Sequence, residues 1–120
     1  MNKKQKKIDL ILSYTIGKES REDGYFEGGV QDPSYSDEIL LWVEEDEKFD
    51  FDKDAFVRTN KYQVNLCGTE RSLFELGRYL IGLSQYETEN NNYHDHFDEI
   101  SSPDGKKPCN LIIHSHKRLS

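Results

Sequence analysis

Apolar residues are scarce in this chain, and they never run for long. The longest uninterrupted stretch, Ile39–Val43, has five residues, far below the roughly 20 that a membrane-spanning helix needs. Cysteine occurs twice, at Cys67 and Cys109. Two thiols make no disulfide framework, and without an export signal both are expected as buried, reduced side chains in strands. There is no Gly-rich phosphate loop, no nucleophile elbow and no His-Glu-x-x-His helix, so the common signatures of nucleotide, acyl-transfer and zinc-protease chemistry are missing. A chain without these signals is expected to be no enzyme.

The residues that are present suit one small domain. The 120 residues are 34% hydrophobic and 32% charged, a balance that approaches disorder. Seven Tyr, six Phe and one Trp nevertheless supply enough bulky surface for a packed core. A single domain over 1–120 is expected, with residues 1–6 a disordered basic tail. The opening Met-Asn-Lys-Lys-Gln-Lys-Lys has the charge of a signal peptide, but Asp9 and Gly17 break up the next dozen residues before an apolar segment develops. Cytoplasmic residence is the resulting expectation.

Periodicity predicts the elements. Ile8, Leu10, Leu12 and Tyr14 alternate with other residues as in a half-buried strand. From Gly17 to Asp37 the chain is punctuated by glycines and charges and reads mostly as loop, with a short strand at Tyr25–Val30. Ile39–Val43 reads as a well-covered strand, and Tyr62–Gly68 as another with Tyr62, Val64 and Leu66 on one face. Thr69 is placed to cap a helix running to about Gln85, with Glu70 in its first turn and Leu73, Leu76, Leu80 and Leu83 on its apolar face. Gly77 then reads as a point where helix and sheet approach closely. Tyr93–Phe97 and Cys109–His116 form a hairpin around Pro103, Asp104 and Gly105. The predicted fold class is α+β, an antiparallel sheet of about five strands with one amphipathic helix packed on one face.

The formal charge of −7 is concentrated. From Asp37 to Asp54 nine carboxylates stand against Lys48 and Lys53, while the rest of the chain balances. Such a field repels nucleic-acid phosphate and anionic membrane, and favours a basic protein partner. Charge runs are more often solvated faces that keep a protein soluble. Asp50, Asp52 and Asp54 open like a calcium loop, but Ala55 stands where the turn needs Gly and Lys61 where the bidentate Glu belongs. Aromatic residues interleave with the acids, which is the anatomy of a binding surface as well as of loops plugged onto a sheet. The candidate partner-binding set is Asp46, Glu47, Asp50, Asp52 and Asp54 for steering, with Trp42, Phe49 and Phe51 as anchors.

The four histidines form two His-x-His pairs, His94/His96 and His114/His116. A hairpin centred on Gly105 would set His94 opposite His116 and His96 opposite His114, all on one face. Tyr93, Phe97, Cys109, Leu111 and Ile113 would occupy the other, with Asp95 a misfit that would have to lie near an edge. Exposed or locally hydrogen-bonded imidazoles are the plainer reading. The alternative is a histidine-rich metal-binding or regulatory domain with these four residues as ligands, though their spacing names no metal.

The run Val64–Gln85, then His94–Asp98 and Cys109–Lys117, resembles small bacterial proteins grouped with the immunity proteins of polymorphic toxin systems. In that pattern a strand ends at Gly, a Leu-rich helix comes next, then a His-x-His strand and a closing apolar strand. Gly68, Leu73, Leu80, His94 and His96 match it; the acidic stretch before it lies outside the pattern, so no contact residue is carried over. The resemblance implies a cytoplasmic, non-enzymatic protein without cofactor that neutralises a cognate toxin by occluding it.

Overall fold

The computed structural model describes residues 2–19, 26–90, 92–100 and 109–115. Among these the chain forms β1 (Tyr14–Glu19), β2 (Phe26–Val30), β3 (Ile39–Asp50), β4 (Ala55–Gly68), α1 (Glu70–Gln85), β5 (His94–Ile100) and β6 (Cys109–His114), with a short 3-10 turn at Ser36–Glu38 before β3. The strands pair antiparallel in sequence order, β1 with β2, β3 with β4 and β5 with β6. The α+β class and the single helix stand, but three separate two-stranded hairpins replace the expected five-stranded sheet. The helix comes directly after the fourth strand.

The first strand is displaced from its predicted place. Residues 8–13 are not in a strand, and β1 begins at Tyr14, the last residue of the expected run. Pairing sets Tyr14 opposite Val30 and Thr15 opposite Gly29, and the register then shifts before Lys18. Gly28, at φ +100°, allows this, because a side chain there would meet the Thr15 carbonyl oxygen at 2.5 Å. The short strand expected near Val30 is present as β2, and residues 17–19 of the predicted loop belong to β1.

The helix begins as expected. Thr69 Oγ1 accepts from the Ser72 amide at 3.1 Å, and Glu70 lies in the first turn. Its buried face differs from the one predicted: Ser72, Leu76, Tyr79 and Leu83 point inward, whereas Leu73, Phe74, Leu80 and Ile81 are exposed. The stripe is rotated by one residue because two of its members carry hydroxyls that find partners inside. Ser72 Oγ donates to the Thr69 carbonyl at 3.0 Å, and Tyr79 donates to Asp95. Close approach to the neighbouring hairpin occurs at Gly82, where a Cβ would meet Val30 Cγ1 at 3.1 Å; at Gly77 it would meet nothing within 4 Å.

The core joins all three hairpins to the helix: Val30, Ile39, Leu41, Leu76, Tyr79, Leu83, Tyr86 and Ile100, with Tyr14, Tyr93, Phe97, Cys109, Leu111 and Ile113 packed against it. The inner row of the β5–β6 hairpin is the predicted one. Asp95, expected near an edge, is instead held within that row by two phenols: Tyr79 donates to it, and Tyr93 donates at 2.9 Å while accepting from the Val30 amide at 3.2 Å. One relay of hydrogen bonds thus ties β2, β5 and α1 together. Burial first, and then Asp95, raises the Tyr79 phenol well above its ordinary value. Tyr93 is pushed from 10.0 up to about 12, chiefly by burial.

The β3–β4 hairpin departs from this compact arrangement. Its inner end contributes Ile39 and Leu41 to the core, but Val43, Tyr62, Val64 and Leu66 on the same face are exposed. Cys67, expected to be buried, is exposed, and Cys109 is half-buried. The Ile39–Val43 strand is therefore covered only at its start. A radius of gyration of 19.0 Å, against about 13–14 Å for a compact domain of this length, fits a hairpin standing out as an arm. Residues 44–54, expected as a loop, are the outer part of β3 and the tip turn.

Two stability measurements check this account. Gly77→Ala, filling open space in a helix interior, is expected to raise unfolding free energy by up to about 1 kcal/mol, read by urea denaturation. Tyr79→Phe removes one donor from a part-buried carboxylate and is expected to cost about 1–3 kcal/mol. Both phenols hold their protons to higher pH when folded, so the stability linked to them is complete below pH 10 and lost as pH rises towards about 12. The Phe variant should show a shallower alkaline loss.

Candidate functional site

The acidic stretch folds back on itself. Asp50 Oδ1 accepts from the amides of Asp52 at 2.9 Å and Lys53 at 3.3 Å, which closes the tip turn after β3. Asp54, at φ 49°, carries the chain into β4 in the left-handed region that Asp and Asn tolerate. Phe49 pairs directly across with Phe56. Phe51 stacks edge-on against Phe49 at 5.0 Å between ring centroids, and Phe56 does so at 5.4 Å. These three rings form an aromatic knob in water, with Phe51 87% exposed.

Halfway along the arm the register shifts. Glu45 lies opposite Tyr62 but Glu47 opposite Arg58, so Thr59, Asn60 and Lys61 bulge across from Asp46. Asn60 adopts φ 64°, and Thr59 Oγ1 donates to Asp46 Oδ2 at 2.8 Å. The bulge brings the cations of β4 into the acidic field, with Arg58 Nε 2.9 Å from Glu45. Between Glu44 and Lys61 seven carboxylates consequently face four cations. The arm remains acidic, but its field is milder than the linear run suggests.

The structure brings Asp46, Glu47, Asp50, Asp52, Asp54, Phe49 and Phe51 together on the outer arm. It does not bring Trp42 to them. Trp42 sits opposite Asn65 nearer the base of the hairpin and is half-buried. Phe56 belongs to the knob and was not among the candidate anchors, although its cross-strand place is clear once Asp50–Asp54 is recognised as a tight turn rather than a long loop.

His94, His96 and His114 share a face, though not in the predicted register. His94 is opposite His114 and His96 opposite Ile112, a slip of two residues that preserves the side on which each chain points. The His94 ring centroid lies 4.8 Å from that of His96 and 5.1 Å from that of His114. His94 Nδ1 lies 2.9 Å from the Asn92 carbonyl, to which it donates. Among the described residues no group of three or more His, Cys, Asp or Glu side chains is arranged to hold a metal ion, and His116 lies outside those residues. No helix among them is long and apolar enough to cross a membrane.

Comparison with curated proteins and with solved structures finds no match. Residues 63–116 match the family model of Immunity protein 32, a span that runs from the inner end of β4 through α1 to the β5–β6 hairpin, so the second half of this chain carries the immunity-protein pattern read from its sequence.

Proposed function

We propose that this protein is a cytoplasmic, non-enzymatic immunity protein, needing no cofactor, that binds a cognate toxin and occludes it. The observation that carries the reading is the match of residues 63–116 to Immunity protein 32. The matched span holds the helix and the final hairpin, while β3, the tip turn and the outer part of β4 lie outside it. On this reading the matched part is the scaffold, and the arm selects the partner.

The chemistry of the arm supports a basic protein as that partner. Opposite charge raises the rate and orients the approach of two proteins, whereas burial of aromatic anchors sets how long the complex lasts. Carboxylates along the arm supply the first quality, and the Phe49–Phe51–Phe56 knob supplies the second. An acidic finger of this kind also suits a cleft built for nucleic-acid phosphate, where it would stand in place of the substrate.

The test first reads the genes on either side, where a large secreted protein with a toxin-like carboxy-terminal domain is expected, and then measures association and dissociation rates with that purified domain at several salt concentrations. The combined variant Glu47→Gln, Asp52→Asn, Asp54→Asn leaves the Asp46 and Asp50 hydrogen bonds in place. It is expected to slow association by about tenfold at low salt, with the difference fading as salt screens the field. Phe51→Ala is expected to speed dissociation instead. Absence of binding, or an association rate indifferent to both salt and the charge variant, would count against the reading.

A further inference from the structure

The outer edge of β4 presents a combination that the acidic tip does not explain. From Tyr62 to Cys67 no residue is charged. β4 pairs only with β3 among the described residues, so its other edge carries unpaired amides and carbonyls. On one face Tyr62, Val64 and Leu66 are 75%, 67% and 46% exposed. Val43 on β3 extends this face, and Leu73 stands close to Gly68 at its inner end. A long uncharged edge with an apolar face invites pairing, and proteins guard such edges unless they are used.

We propose that this edge is a self-association surface, on which two copies pair β4 with β4 antiparallel about Val64 and form a continuous four-stranded sheet.

Symmetry identifies the occupant. An interface between two identical chains related by a two-fold axis must be complementary to itself, and the residues around Val64 read alike in both directions. Tyr62 would face the second copy's Leu66, Val64 its own mate, and Gln63 the second copy's Asn65. Apolar side chains meet on one face and carboxamides on the other; within one chain Gln63 and Asn65 already hydrogen-bond at 3.4 Å. The same register carries Lys61 and Arg58, the two cations of β4, towards the start of the second copy's helix, where Glu70 stands and Glu38 accepts from Thr69 at 2.7 Å. Charge is therefore complementary at both ends of the seam.

The edge of β3 is unsuited to the same use. Glu44, Glu45, Asp46 and Glu47 stand in succession along it, and symmetric pairing would set like charges opposite each other. The acids of β3 thus restrict pairing to β4. In the resulting dimer the two acidic tips point in opposite directions, clear of the seam, so this inference stands whether or not the tip binds a toxin.

Sedimentation equilibrium of the full chain over low to high micromolar concentration tests it. The expected result is a reversible dimer of twice the 14.1 kDa chain mass. Val64→Asp, at an exposed position, should lose the dimer at every concentration with an unchanged far-ultraviolet circular dichroism spectrum. Register is tested by oxidation in a Cys67→Ser background: Val64→Cys should cross-link to its own mate, Tyr62→Cys should do so poorly, and mixing Tyr62→Cys with Leu66→Cys should restore cross-linking. A chain that stays monomeric throughout, a dimer indifferent to Val64→Asp, or equal cross-linking by Val64→Cys and Tyr62→Cys would each overturn the proposal.

Discussion

The Asp95 carboxylate, set among apolar side chains and held by the Tyr79 and Tyr93 hydroxyls, is the constraint on which the central packing depends. A half-buried carboxylate loses part of its hydration, and hydrogen bonds to its oxygens offset that loss. Two phenols supply them here, each reaching Asp95 from its own place in the chain. Tyr79 fixes the rotation of α1 about its axis, so Leu76 and Leu83 face inward while Leu73 and Leu80 remain outside. Tyr93 accepts from the Val30 amide and so fixes β2 against β5. Two of the three hairpins, which share no sheet, are aligned with the helix by one polar relay, and the β3–β4 hairpin joins them through Ile39 and Leu41 in a core of few buried apolar side chains.

That relay also explains which parts of the fold are legible in the sequence. The β5–β6 hairpin is evident from simple alternation, since Phe97, Leu111 and Ile113 are apolar and His94, His96 and His114 are polar. The helix and its Thr69 cap are equally plain, because capping and 3.6-residue spacing are local properties. Orientation of the helix is not local. Leucine spacing selects 73, 76, 80 and 83, while the side chains that go inside include Ser72 and Tyr79, whose burial depends on partners distant in the chain or hidden in its backbone. Residues 8–13 show the opposite failure: their alternation is clear, but among the described residues no strand pairs with them.

For the candidate site, the acids and Phe49 and Phe51 are legible as a cluster, because they are close in sequence and a hairpin keeps neighbours together. Their arrangement is not. A run of carboxylates reads as loop, whereas carboxylates on alternating faces of a two-stranded ribbon are tolerated when both faces meet water, as they do along the outer arm. Arg58 and Lys61 come back beside the acids only through strand pairing and the bulge at Thr59–Lys61. Trp42 is separated from Phe49 by about seven strand positions, roughly 20 Å at the usual rise, so it belongs to the base of the arm and not to its tip.

A small core and a long arm place different demands on the same hairpin. At its inner end, Ile39 and Leu41 are buried because α1 and the other hairpins cover them. Further out Val43, Val64 and Leu66 remain 56%, 67% and 46% exposed, on the face that carries Ile39 and Leu41 inside. An isolated two-stranded hairpin is at best marginally stable in water, so the outer arm needs either additional strands or a partner. The palindromic chemistry around Val64 answers that need along one edge, and the carboxylates of β3 guard the other. The proposed association and the proposed partner choice would then be separated along one ribbon: an uncharged seam near the scaffold, and a charged, aromatic tip away from it.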